Sequence, residues 1–308
     1  MKKEVEQFFL NLPKDSNYLA MKLLSDVFSR MEESDDTSRK IVQNIEALNC
    51  FHIRLLDSHS MANSVYTEDN GVESRIAFSF SAQQMIATHE FGHLLLDLFS
   101  EAKLPTNYFE VNQEAVDRLV SKSEEISQTL NTSRDYLFQL LVNSVNELIS
   151  FIQNHPVVLE EFSKENKNAT MEDLLPIAIA DYYCFLTNFD ERANQINCFG
   201  NIIDSSFHGE NPFIELYGND EFFPLIASHD SSYFLEDNDH GKYFAGFEEQ
   251  FADYLVLKLY RKEMYPTITA LQNVIGDDWF FMMDSYYDCL ADKVENQCRV
   301  YKKENNKS

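Results

Sequence analysis

Two histidines stand four residues apart in "MIATHEFGHLLLDLF", residues 85 to 99, and a glutamate directly follows the first. Residues i and i+4 of a helix share a face, so His89 and His93 can present two imidazoles to one ion. Glu90 then sits beside that ion, where its carboxylate can take a proton from a bound water. Zinc lowers the pKa of such a water to about 7, making hydroxide available at neutral pH. Gly92 costs a helix interior about 1 kcal/mol relative to alanine, so a residue this small implies close packing beneath it. The bland alternative is a histidine-rich helix that matches the pattern by chance.

Two histidines do not complete the site, because catalytic zinc usually has three protein ligands and one open position. The place a third histidine takes in HExxHxxGxxH is occupied by Phe99. The remaining ligand is then a carboxylate from a later helix. "GFEEQFADYLVL" offers Glu249 with Asp253 four residues on, and "VNQEAVDRLV" offers Glu114 with Asp117 three residues on. Charged pairs on helices are usually solvated, which suits Glu114 and Asp117. The helix around Glu249 carries Phe247, Phe251, Tyr254, Leu255, Val256, Leu257 and Leu259, apolar on nearly every side. A carboxylate buried there needs a partner, which favours Glu249 over Glu114 and leaves both open. Asp253 could accept the other ring N–H of a zinc histidine.

Several elements must hold these residues. Residues 16 to 34 start with Ser16 as a cap and place Ala20, Leu23, Leu24, Val27, Phe28 and Met31 on one helical face. A second helix is predicted over 38–48. The period then changes to that of strands in "CFHIRLL" (50–56), "NSVYT" (63–67) and "ESRIAFSF" (73–80), with Asn70-Gly71 turning the last two into a hairpin. Ser81 and Gln84 have capping-box spacing at the start of the metal helix. Within 112–154, Leu137, Leu140, Leu141, Val145, Leu148, Ile149 and Ile152 keep a helical stripe, and another helix is predicted over 171–189. Residues 190–246 read as a long irregular stretch. A helix over 247–266, ended by Pro266, and a last one over 277–301 complete the chain. There is no internal repeat.

The composition bounds the rest. With 308 residues, 44% hydrophobic and 13% aromatic, the chain is that of a folded globular protein. It has no apolar run near the roughly 20 residues that cross a bilayer, and "MKKEVEQFFLNLPKD" lacks a signal peptide's apolar core. A soluble protein is expected, cytoplasmic or exported without a classical signal peptide. Cys50, Cys184, Cys198, Cys289 and Cys298 are odd in number and show no CxxC spacing, which points to reduced thiols. The formal charge of -26 repels nucleic acid and anionic lipid and attracts basic peptides, although it also serves solubility.

HExxH followed downstream by ExxxD, carried here by His89, Glu90, His93, Glu249 and Asp253, resembles the gluzincin metallopeptidases, the broad thermolysin-like group. "HEFGH" together with E-x-F-A-D looks closest to the branch of anthrax lethal factor and Pro-Pro endopeptidase. The resemblance covers residues 38–100 and 243–265. Asp97, four after His93, resembles an aspartate these enzymes often carry. In that branch a tyrosine seven residues before the zinc glutamate assists catalysis. Here that position is Lys242, and Tyr243, one residue off, is a candidate for oxyanion stabilisation. The separation of 156 positions from His93 to Glu249 exceeds the spacing of those relatives and implies an inserted helical subdomain. A second resemblance, to small regulatory peptidases that have HExGH and cleave phage repressors, would favour Glu114.

The expectation is an α+β fold: a zincin-like metallopeptidase domain, with a small mixed sheet, active-site helices and a large, mostly helical insertion. Its parts are an N-terminal helical segment (1–37), the zincin part with the metal helix (38–100), the insertion and irregular loop (101–242), and the glutamate and C-terminal helices (243–308). The function expected is that of a Zn2+-dependent endopeptidase. His89, His93 and Glu249 bind the ion, Glu90 is the base and Asp253 supports a ligand. The substrate would be a protein or peptide of basic character, paired along "ESRIAFSF" as an open sheet edge. The alternatives are a regulatory peptidase that cleaves a transcriptional repressor and a non-enzymatic acidic binding protein.

Overall fold

Helical stripes of apolar residues build the body of this protein. The computed structural model describes residues 18–45, 51–56, 61–67, 71–79, 84–99, 113–130, 191–206 and 245–305. Helix α1 (Tyr18–Ser34) buries Leu23, Leu24, Val27, Phe28 and Met31. Asp35 separates the two helices, and its Oδ1 accepts the backbone N–H of Ser38 at 2.7 Å, capping α2 (Asp36–Ile45). The other helices are α3 (Gln84–Phe99), α4 (Gln113–Leu130), α5 (Glu191–Ser206), α6 (Ala245–Leu259), α7 (Tyr265–Val274) and α8 (Asp277–Asn305).

Helix α6 is central among the described helices. It packs against α3, α5, α1 and α7, and Phe247, Phe251, Ala252 and Leu255 on it are fully buried. Its polar side chains are tied down as burial requires. Trp279 Nε1 on α8 donates to Gln250 Oε1 at 2.9 Å, and the Tyr254 hydroxyl donates to Asp284. Phe251 meets Tyr286 and Tyr287 of α8 at ring-centroid distances of 5.5 and 6.4 Å. No described helix is long and apolar enough to cross a membrane.

Three strands, β1 (Phe51–Leu56), β2 (Met61–Thr67) and β3 (Gly71–Ser79), pair at backbone level in the order β1-β3-β2. β1 runs parallel to β3 with Ile53 opposite Ile76, and β2 runs antiparallel to β3 with Thr67 opposite Gly71. Strand β3 is therefore the central strand. "ESRIAFSF" is no open edge, because β1 and β2 occupy its two sides, and the expected pairing of a substrate along it is corrected.

The α+β zincin-like class is corrected as well. Residues described with their side chains are 93% helical and include no strand. Every buried side chain among them lies on a helix or a turn between helices. The core described is helix packed on helix, so the architecture is helical.

Two boundaries also differ from expectation. Residues 191–206 are helical, where an irregular stretch was expected. Helix α5 buries Ile196, Phe199, Ile202 and Ile203, but also Gln195, Asn201, Ser205 and Ser206, so apolar and polar residues do not separate into a stripe. Pro266 opens α7 rather than ending α6, since a missing N–H and a preset φ suit the first turn. Ser16, Asn70, Ser81, the stripe from Leu137 to Ile152 and the helix predicted over 171–189 lie outside the described residues.

Candidate metal centre

Helix geometry brings His89 and His93 together, with their ring centroids 4.7 Å apart. Close packing of α3 on α6 sets Glu249 and Asp253 opposite them. His89 Nε2 lies 3.0 Å from His93 Nε2 and 3.4 Å from Glu249 Oε2, and His93 Nε2 lies 3.6 Å from Glu249 Oε1. Among the described residues His89, His93 and Glu249 are the group able to share a metal ion.

The far side of each ring faces another carboxylate. His89 Nδ1 lies 2.9 Å from Asp253 Oδ1, and His93 Nδ1 lies 3.7 Å from Glu248 Oε1. A carboxylate only accepts, so in the neutral His89 ring Nδ1 carries the proton and donates it to Asp253. That leaves Nε2 as a lone pair aimed at the shared space, which is how metal-binding histidines are usually oriented.

A dication fits this donor set by distance. Atoms bound at roughly 2.0–2.1 Å to a tetrahedral ion stand about 3.3 Å apart; the two Nε2 atoms are 3.0 Å apart, and Glu249 comes within 3.4 Å of His89 through Oε2 and within 3.6 Å of His93 through Oε1, on either side of that figure. It also fits by charge. Glu248, Glu249 and Asp253 surround the buried His93 ring and the partly buried His89 ring. With no metal present, those charges hold protons on the rings. Burial pushes the His89 pKa down, but Asp253 and Glu249 outweigh it and raise it well above 6.5. Burial also lowers that of His93, yet Glu249 and Glu248 lift it to about 9. One dication can replace two ring protons without changing the net charge.

Glu90 follows His89 on α3 and is 8% exposed. Glu114 is elsewhere: it is exposed on α4 and accepts from Arg118 Nη1 at 2.8 Å, while Arg118 Nε donates to the Val274 carbonyl. Asp117 is exposed too. The carboxylate that meets the histidines is Glu249, not Glu114. Tyr243, Lys242 and the side chain of Asp97 lie outside the described residues.

Two contributors escaped the sequence reading. Glu248 adds the carboxylate beside His93, and only its place next to Glu249 hinted at it. Asn201 of α5 reaches both Glu249 and Asp253, its Nδ2 donating to Glu249 Oε2 at 3.1 Å and to Asp253 Oδ2 at 2.6 Å. No protein-family model, curated protein or solved structure matches this chain.

Proposed function

We propose that this protein is a zinc-dependent endopeptidase in which His89, His93 and Glu249 hold the ion, Glu90 is the general base and Asp253 orients His89. The observation that carries the reading is the triangle of His89 Nε2, His93 Nε2 and Glu249, with the outer nitrogen of His89 anchored on Asp253. A bound zinc ion supplies a water of pKa about 7 and polarises the carbonyl under attack. Glu90, next to a ligand on the same helix, accepts the proton of the attacking water and passes it to the leaving amine. The ligand pattern resembles that of gluzincins, here set on a helical architecture. The acid surplus of the chain supports a basic peptide or protein as substrate.

Metal analysis of protein purified without chelators should give about one zinc per chain. Comparison of newly formed peptide ends between wild type and Glu90→Gln should show cleavage only by wild type. Glutamine keeps the shape of the side chain but takes no proton. A protein that contains no zinc and takes up none is not this enzyme, and an acidic binding module is then what remains.

A further inference from the structure

Helix α5 reaches the candidate metal centre through Asn201, while Cys198 Sγ on the same helix donates to the Asp253 backbone carbonyl at 3.9 Å. Asn201 is 6% exposed, and its amide nitrogen uses one hydrogen on Glu249 and the other on Asp253. Both partners are carboxylate oxygens, which only accept, so the amide has one admissible orientation. Glu249 and Asp253 are one helical turn apart and carry like charge, which splays them unless something bridges them. The bridge occupies Glu249 Oε2 and Asp253 Oδ2, and Asp253 Oδ1 is left to hold His89.

We propose that Asn201 is a positioning residue of the metal centre: it locks the ligand Glu249 and the histidine anchor Asp253 into one arrangement and makes α5 the third wall of the site. This rests on the metal-site reading above. The residue type matters. A lysine or arginine in this place would neutralise the carboxylates and compete with the cation, and an aspartate would add repulsion. A neutral double donor fixes both oxygens and leaves their charge for the ion. A segment between the HExxH motif and the glutamate helix thereby becomes part of the site.

The test compares zinc affinity, by competition with a coloured chelator, and thermal unfolding of the metal-free protein, for wild type, Asn201→Leu, Asn201→Ser and Gln195→Ala. Gln195 is a structural control on the same helix. Its Nε2 donates to the Glu263 carbonyl at 2.6 Å, and its backbone carbonyl accepts from Thr267 Oγ1 at 2.7 Å. Asn201→Leu should weaken zinc binding by roughly 10-fold or more, as loss of an outer-shell partner does, with Asn201→Ser in between because it keeps one donor. Gln195→Ala should lower the unfolding temperature and leave zinc affinity close to wild type. If wild type binds zinc and the Asn201 variants bind it equally well, Asn201 only packs and the proposal is overturned. The same holds if Gln195→Ala loses affinity in proportion to stability, as the Asn201 variants do. If wild type binds no zinc, the metal-site reading itself fails and takes this one with it.

Discussion

Gly92 of α3 sits so close to Ala252 of α6 that a β-carbon on it would lie 2.7 Å from the Ala252 Cα. The neighbour is backbone inside a buried helix and cannot swing aside. The contact lies between His89 and His93 on one helix and between Glu249 and Asp253 on the other, so it also sets the width of the candidate metal centre.

Gly92→Ala therefore has two opposed effects. Alanine gains about 1 kcal/mol in helix propensity, while overpacking of a tight core costs about 1–3 kcal/mol. A methyl driven against backbone belongs at the upper end of that range, so the variant should be less stable than wild type. It should also bind zinc more weakly, because the two helices must part. Thermal unfolding and a zinc titration check both, and a variant equal to wild type in each would remove the close approach from the account.

Exchange of the carboxylates separates the two candidate ligands. Glu249→Ala should weaken zinc binding by roughly 10-fold or more, and Asp253→Ala by about 10-fold through loss of His89 orientation. Glu114→Ala removes only an exposed partner of Arg118 and should leave affinity unchanged. Competition against a coloured chelator measures all three. Release of the metal by Glu114→Ala with normal binding by Glu249→Ala would reverse the assignment.

The ring protons make the site pH-dependent. His93 has its pKa raised from 6.5 to about 9 in the metal-free fold, against the effect of burial, by Glu249 and Glu248. A raised histidine contributes stability that is complete below its unfolded value and fades as pH climbs through its folded one. Metal-free protein should accordingly lose stability between pH 6.5 and about 9, with His89 acting in the same direction. Zinc takes the lone pairs those protons hold, so its affinity should rise over the same window. Unfolding scans and zinc titrations across this range provide the readout. An affinity flat in pH would mean that the rings carry no protons to displace.

Asp35 supplies the opposite limb. Burial tends to raise its pKa, but the Ser38 backbone N–H and Lys258, 3.0 Å from Oδ2, outweigh burial and hold it below 3.8. Its contribution is present above that value and is lost as pH falls through the lower folded one. Asp35→Ala should cost about 1 kcal/mol as a lost cap. Metal-free Asp35→Asn should also be less sensitive to acid than wild type below pH 3.8. An unchanged acid limb in Asp35→Asn would show that the carboxylate charge plays no part.

His89 and His93 are legible as a pair in the sequence because a helix fixes which side chains share a face, and that relation spans only five residues. Glu249 and Asp253 are legible as a pair for a different reason: a helix apolar all round cannot bury carboxylates without giving them partners. The three strands and most helices can also be read locally, since each depends on its own period. What the elements amount to together is another matter. The class expected from the strands was wrong because a class is set by which elements hold the core, and the buried side chains described here are helical. Asn201 left no signal, because among the described side chains of α5 the polar Gln195, Asn201, Ser205 and Ser206 are buried along with the apolar ones. Spacing along the chain decides which atoms can act side by side. Which faces meet across 156 positions is decided by packing, here Gly92 against Ala252, and by the demand that every buried charge find a partner.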